Sequence, residues 1–172
     1  MVLSIFLVVG IDVGFNSNSG QFLMKQFGIE SEAATMGRSV YFFGRLLGTF
    51  AGAIILTRVS SRKLFIWTSV LGIIAFGALL LIKSQLIAWG LVFITGIAIA
   101  NIFPLVFALS VEKFPTRSNE ISGLIMMAIS GGAIIPLLVG GLSDITNVAI
   151  GMTILLACWF YMFGVAVYTW KK

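Results

Sequence analysis

Histidine is entirely absent from the 172 residues, which excludes imidazole acid–base chemistry, histidine-containing catalytic triads and histidine metal sites. Cysteine occurs once, as Cys158. A lone thiol supports no internal disulfide, Cys-rich zinc site or dithiol redox pair, and it reads as packing. Charge is also scarce, at 10% of residues where soluble domains carry about 25%. An enzyme is not expected, nor is a cofactor or a metal.

What remains is apolar: 59% of the residues are hydrophobic and the mean hydropathy is +1.11. A water-soluble globule is thereby excluded. At about 20 apolar residues per membrane crossing, the length holds roughly six helical spans with short loops and no separate soluble domain. The expected fold class is an all-α integral membrane protein, a single domain over residues 1–172. The hydropathy pattern predicts helices near 3–25, 35–57, 64–82, 87–109, 121–142 and 147–169. The lipid bilayer is thus the first expected partner.

The net charge of +5 points to nucleic acid only in a soluble protein; here topology explains it. With both termini inside, the inner loops carry Arg58, Arg62, Lys63, Lys113, Arg117, Lys171 and Lys172, and the outer loops carry Lys25 and Lys83. That bias follows the positive-inside rule and predicts an N-in, C-in topology. Trp67 and Trp170 near inner helix ends, and Trp89 near an outer one, read as interfacial anchors. No nucleic-acid partner is expected.

The spans divide into 1–85 and 86–172, nearly equal sets of three. Three is odd, so the second set is expected to run inverted, the organisation of inverted-repeat transporters. Gly52-Ala53-Ile54-Ile55 recurs as Gly132-Ala133-Ile134-Ile135, a faint echo of such a repeat. Met1 opens directly on an apolar run that Asp12 interrupts, a poor fit to a cleavable secretory signal. The expectation is a chain cut from a longer polypeptide, or a gene interrupted, just before this point.

Charges deep in a bilayer cost about 2.5–3.5 kcal/mol each on insertion scales and call for an explanation. Asp12 in the first span and Arg45 in the second are such charges. Counted at 1.5 Å per residue from opposite faces, both lie on the order of 15 Å deep. Two readings stand: a structural ion pair that locks adjacent helices, or cavity charges that touch a substrate, a coupling ion or a partner group. Asn16 and Ser19 continue from Asp12 as one polar stripe, with Asn18 and Gln21 on a second face. Such polarity does not suit a lipid-facing helix and predicts cavity lining. Amide and hydroxyl groups beside a carboxylate suit a polyhydroxylated ligand without singling out a sugar.

Gly37, Gly44, Gly48 and Gly52 in the second span form a small-residue stripe for close helix approach. Arg38 and Arg45 share a face beside it, and Arg38, nearer the outer end, can snorkel. In the fourth span, Pro104 frees the carbonyl of Ala100 and kinks the helix. Asn101 reads either as the group that satisfies that carbonyl or as a cavity residue. Gly123, Gly131, Gly132, Pro136, Gly140 and Gly141 make the fifth span one built to bend and pack tightly.

Two stretches carry a family resemblance. Asn101-Ile-Phe-Pro-Leu-Val-Phe-Ala-Leu through Ser130-Gly-Gly-Ala-Ile-Ile-Pro-Leu-Leu-Val-Gly-Gly-Leu-Ser-Asp144 resembles helices ten and eleven of the fucose permease group of sugar:proton symporters, within the major facilitator superfamily. Gly44-Arg45-Leu-Leu-Gly48 with Arg58-Val-Ser-Ser-Arg62-Lys63 resembles helix eight and a degraded copy of the cytoplasmic signature loop. The polar first span, with Asp12-Val-Gly-Phe, is similar to helix seven. The resemblance implies the C-terminal six-helix half of a twelve-helix transporter in a bacterial inner membrane. It implies proton-coupled movement of a small sugar by alternating access, with an N-terminal six-helix half or a second copy as partner. The family's proton-coupling acids lie in the other half, so no such role passes to this chain. The substrate-cavity candidates are Asp12, Asn16, Ser19, Arg45 and Asn101.

Alternatives of other classes are a truncated product without transport activity and a self-contained small channel or homodimeric transporter. A passive channel calls for a selectivity ring or a duplicated pore motif, and neither is found. An intramembrane protease is weakened by the absence of histidine and of paired acids, since Asp12 is the one deep carboxylate.

Overall fold

Apolar runs of about 20 residues with no aqueous partner for their backbone satisfy their own amides in a bilayer as helices, and the described residues form them. The computed structural model describes residues 1–113 and 118–170, without the side chains of Lys113 and Ser118. Arg117, Lys171 and Lys172, three of the basic residues behind the expected topology, lie outside the described residues.

Eight helices are described: α1 (Val2–Phe27), α2 (Ser31–Leu56), α3 (Ser61–Leu81), α4 (Gln85–Ile99), α5 (Ile102–Lys113), α6 (Ser118–Ala128), α7 (Gly131–Ile145) and α8 (Val148–Trp170). They make up 6 stretches long and apolar enough to cross a membrane, with α4 and α5 sharing one and α6 and α7 another. Each expected span is found; the largest boundary differences are at the start of α2 at Ser31, where the pattern placed it near residue 35, and at the end of α5 at Lys113, where it placed it near residue 109.

The two composite spans break for different reasons. Ala100 and Asn101 form the joint between α4 and α5, and Pro104 falls in the first turn of α5. A first-turn residue needs no intrahelical N–H, so the break removes most of the penalty of the proline. In the fifth span the joint is at Ile129–Ser130, while Pro136 sits inside α7. Tight i→i+3 bonds cross this joint, from Gly132 N–H to the Ile129 carbonyl at 3.0 Å and from Ala133 N–H to the Ser130 carbonyl at 2.9 Å. The break in the fifth span therefore comes nearly two turns before its proline, where the backbone of Phe6 in α1 lies against Gly131 and leaves no room for a side chain.

Between α1 and α2 the reversal is made at Gly28, with φ 65° and ψ 26°. This left-handed conformation suits a residue without Cβ, and the Gly28 N–H closes the helix onto the Met24 carbonyl at 3.0 Å.

Packing of α2 on α4 follows the glycine stripe. Gly44 meets the backbone of Phe93, Gly48 that of Ile97, and Gly52 the side chain of Asn101. A Cβ at position 48 would lie 2.8 Å from the Cα of Ile97, too close for any real side chain. Without a hydrophobic effect between helices in lipid, such close approach supplies the dispersion contacts that hold spans together. Elsewhere α1 packs on α7 and α8, and Trp159 of α8 fills the space over Gly72 of α3. Phe15, Tyr41, Phe65, Phe76 and Trp159 are fully buried at the centre. In contrast, α2 turns Phe42, Phe43, Leu46, Leu47 and Phe50 outward, and the fifth span exposes Met126, Met127, Leu137 and Leu138.

Candidate functional site

Helices α1 and α2 bring the two deep charges together. Arg45 Nη1 lies 2.5 Å from Asp12 Oδ2, with side-chain exposures of 39% and 18% respectively. The other carboxylate oxygen, Oδ1, accepts a hydrogen bond of 2.6 Å from the Tyr41 hydroxyl. Tyr41 and Arg45 are one turn apart on α2, so both reach the same carboxylate from one face. Asp12 thus has each oxygen engaged, whereas the Arg45 guanidinium has one nitrogen engaged and no further partner among the described residues.

The tyrosine is held from behind by an aromatic cluster. Its ring centroid is 4.9 Å from that of Phe15, and Phe15 in turn meets Phe76 of α3 edge-on at 5.7 Å. Tyr41 therefore has little freedom to leave Asp12, and the carboxylate is oriented by a rigid wall. In a setting of low dielectric, a charge-assisted hydrogen bond of this length is among the stronger polar contacts available.

The rest of the expected stripe divides. Asn16 is half-buried, and its Oδ1 is fully enclosed with no hydrogen-bond partner. Ser19 is buried and donates to the Asn16 carbonyl at 3.2 Å. Asn18, on the second polar face, donates to the Gly14 carbonyl at 2.9 Å. Both side chains thus spend donors on their own helix, a common way for a membrane helix to hide polarity. Asn101, in the joint of the fourth span, is 6% exposed and donates across to the Gly48 carbonyl at 2.7 Å. Its amide goes to a neighbouring helix, not to the carbonyl that Pro104 frees. Arg38 is exposed on α2, beyond the pair.

Tyr41 was not among the residues that the sequence singled out. Flanked by Phe42 and Phe43, it reads as one more aromatic in an apolar helix; its position four residues before Arg45, on the same face, is the signal that could have found it.

A cavity of about 460 Å³ lies elsewhere, at the ends of α1, α3, α5 and α8, walled by Arg62, Glu112, Tyr161 and Tyr168 among others. None of the five expected site residues lines it. The Lys63 ammonium stands 5.7 Å from the Trp170 ring centroid, a cation near the start of α3 and an aromatic at the end of α8.

No family model matches the chain. Among curated proteins it is 25% identical over 175 residues to a putative glucose/galactose transporter of Helicobacter pylori, covering 99% of this chain and 43% of that protein. It is 24% identical over 162 residues to a glucose/galactose transporter of Brucella abortus, covering 93% of this chain and 39% of the relative. The chain thus spans less than half the length of these relatives. Among solved structures it superposes on FucP, a major facilitator superfamily transporter in the outward conformation, with a TM-score of 0.91 at 18% identity, over 98% of this chain and 41% of FucP. The chain thus has the fold of a six-helix stretch of FucP, and in sequence it is similar to glucose/galactose transporters.

Proposed function

We propose that the chain is the C-terminal six-helix half of a sugar transporter that works by alternating access in a bacterial inner membrane. Residues 1–85 and 86–172 form its two inverted three-helix repeats, both termini face inward, and a second six-helix unit completes the substrate path. That unit is an N-terminal half, and a second copy of this chain is the competing occupant. Supporting the partner are the length relation to the glucose/galactose transporters and the apolar side chains that α2 and the fifth span leave outward.

The observation that carries the reading is the network of Asp12, Tyr41 and Arg45 on α1 and α2, deep between two spans. A bilayer-buried ion pair with one member 39% exposed is more than a lock: its open edge offers donors to a hydroxylated ligand. Asp12, Asn16, Ser19, Arg45 and Asn101 remain the cavity set, with Ser19 and Asn101 shaping its walls and Asp12, Asn16 and Arg45 nearest to ligand chemistry. Movement is coupled to protons in this reading, and the coupling acids belong to the partner half.

The test is uptake of labelled glucose and galactose by cells expressing the chain with an N-terminal six-helix half, the chain alone, or neither. Uptake driven by an acid-outside gradient only with both halves is the expected result, lowered about tenfold or more by Arg45→Ala. Uptake by the chain alone favours the homodimer; no uptake in any arrangement overturns transport, and uptake insensitive to the gradient removes the proton.

A further inference from the structure

Arg38 lies outside the network of Asp12, Tyr41 and Arg45, on the same side of α2 and nearer the outer end of the span. We infer that Arg38 forms an anion-accepting subsite, so that the site takes uronates, hexoses carrying one carboxylate, in addition to neutral hexoses; this rests on the transport reading above. Seven residues separate Arg38 from Arg45, which places them about 10 Å apart along α2 and within about 20° of each other round its axis. Phe43, Leu47 and Phe50, on the outward apolar face, point about 120° or more away from Arg38. An arginine that only reaches past lipid to the interface needs no such alignment. Arg38 is exposed and has no ion-pair partner among the described residues.

The surroundings leave that charge unbalanced. Along α2 its neighbours at three and four residues are Ala34, Thr35, Tyr41 and Phe42. Glu32, the nearest acid in the sequence, lies about 120° round the helix. Gly37, beside Arg38, lies against Leu23 of α1 and Trp89 of α4, which fixes its level in the bundle. Between that level and Asp12, α1 offers Asn16, Ser17, Asn18, Ser19 and Gln21, all neutral, and Lys25 beyond them is a further cation. Asp12 balances Arg45, so Arg38 gives this face a net positive charge. A uronate meets both ends of it. Its hydroxyls exchange hydrogen bonds with Arg45 and with Asp12, whose oxygens each keep a lone pair beyond their present bond, while its carboxylate meets the guanidinium fork of Arg38. Asn16 Oδ1, enclosed and without a partner, is an acceptor at a depth between the two arginines. A single carboxylate balances Arg38, whereas a sugar phosphate brings further negative charge that nothing on this face offsets.

The experiment measures uptake of labelled glucose and of labelled glucuronate in proteoliposomes holding the transporter assembled from this chain and its N-terminal half. Each unlabelled sugar serves as competitor. In the wild type both sugars are taken up, and each competes with the other. Arg38→Gln removes the charge and keeps a polar side chain, and competition by glucuronate relative to glucose falls about tenfold or more, the worth of a hydrogen bond to a charged group. Arg38→Lys retains the charge without the fork and recovers part of the ratio. Lys83→Gln removes a cation from the connection between α3 and α4 and leaves the ratio unchanged. Glucose uptake that glucuronate neither shares nor inhibits overturns the anion subsite and leaves transport standing, as does an unchanged ratio in Arg38→Gln. An equal fall in Lys83→Gln overturns it too, in favour of diffuse surface charge. Uptake of neither sugar overturns the transport reading and this inference with it.

Discussion

Against α4, helix α2 presents glycines; against α1, it presents a tyrosine and an arginine. The first seam is made by taking side chains away, so that the backbones of Phe93 and Ile97 lie on Gly44 and Gly48. The second is made by adding polar reach, so that Tyr41 and Arg45 both hold Asp12. A backbone-on-backbone contact has no group that can exchange partners, and it responds to change only by steric failure. A polar seam has donors that can trade one acceptor for another, and it can answer to a ligand. The same helix thus combines a fixed hinge plate with a chemically responsive edge.

The sharpest way to break this contrast is to fill the glycine seam. Gly48→Leu should destabilise the fold by about 3 kcal/mol or more, because overpacking at a backbone contact cannot be relieved by a rotamer change. Loss of a monodisperse peak on size exclusion in mild detergent is the readout; a normal peak and an unchanged melting curve would show that the seam has slack. On the polar side, Arg45→Ala strips the balance from a carboxylate that is 18% exposed. Removing one member of a fully buried pair costs about 3–5 kcal/mol, and partial exposure lowers the expectation here to about 2 kcal/mol. Thermal unfolding in detergent measures it, and restoration by Asp12→Asn in the same chain identifies the unbalanced charge as the cause.

Smaller effects sharpen the comparison. Tyr41→Phe keeps the ring against Phe15 and deletes only the hydroxyl, so about 1.5–2 kcal/mol is expected, the lower part of the range of about 1.5–3 kcal/mol for a hydrogen bond to a charged group. A greater effect on sugar affinity than on melting temperature would mark the residue as one that positions Asp12, and equal effects would mark it as packing. Asn101→Ala removes the bond to the Gly48 carbonyl. Interhelical hydrogen bonds in membranes average about 0.6 kcal/mol, so a small drop in melting temperature with little change in uptake is expected. A loss of uptake at unchanged stability would mark Asn101 as a contact of the ligand in the proposed function.

How far the chain could be read in advance differs between these two seams. The glycine spacing identified a contact stripe on α2 without identifying α4 as its partner, because spacing along a helix fixes a face and not what covers it. Depth counting made the Asp12–Arg45 pair a possibility, since only antiparallel neighbours are needed to bring equal depths together. It left open whether the residues touched, because rotation of each helix about its axis depends on every other contact. The polar stripe overstated the ligand-facing set: Ser19 and Asn18 turn to their own backbone, a choice that depends on rotamers and burial. Tyr41 was missed for the converse reason, its hydroxyl hidden by aromatic neighbours in the chain.

Composition and hydropathy by themselves determined that this protein is a bundle of apolar helices, roughly where each begins and ends, and which few residues are too polar for lipid. Those properties follow from local chemistry, the transfer energy of side chains and the need of each backbone amide for a partner. Only the tertiary structure decided that Asp12 is doubly held, that Arg45 keeps an open edge, that Asn101 serves Gly48, and that the fifth span breaks before Pro136 rather than at it. Each of these depends on the packing of helices distant in sequence, where a difference of one helical face or a single methyl group decides which atoms meet.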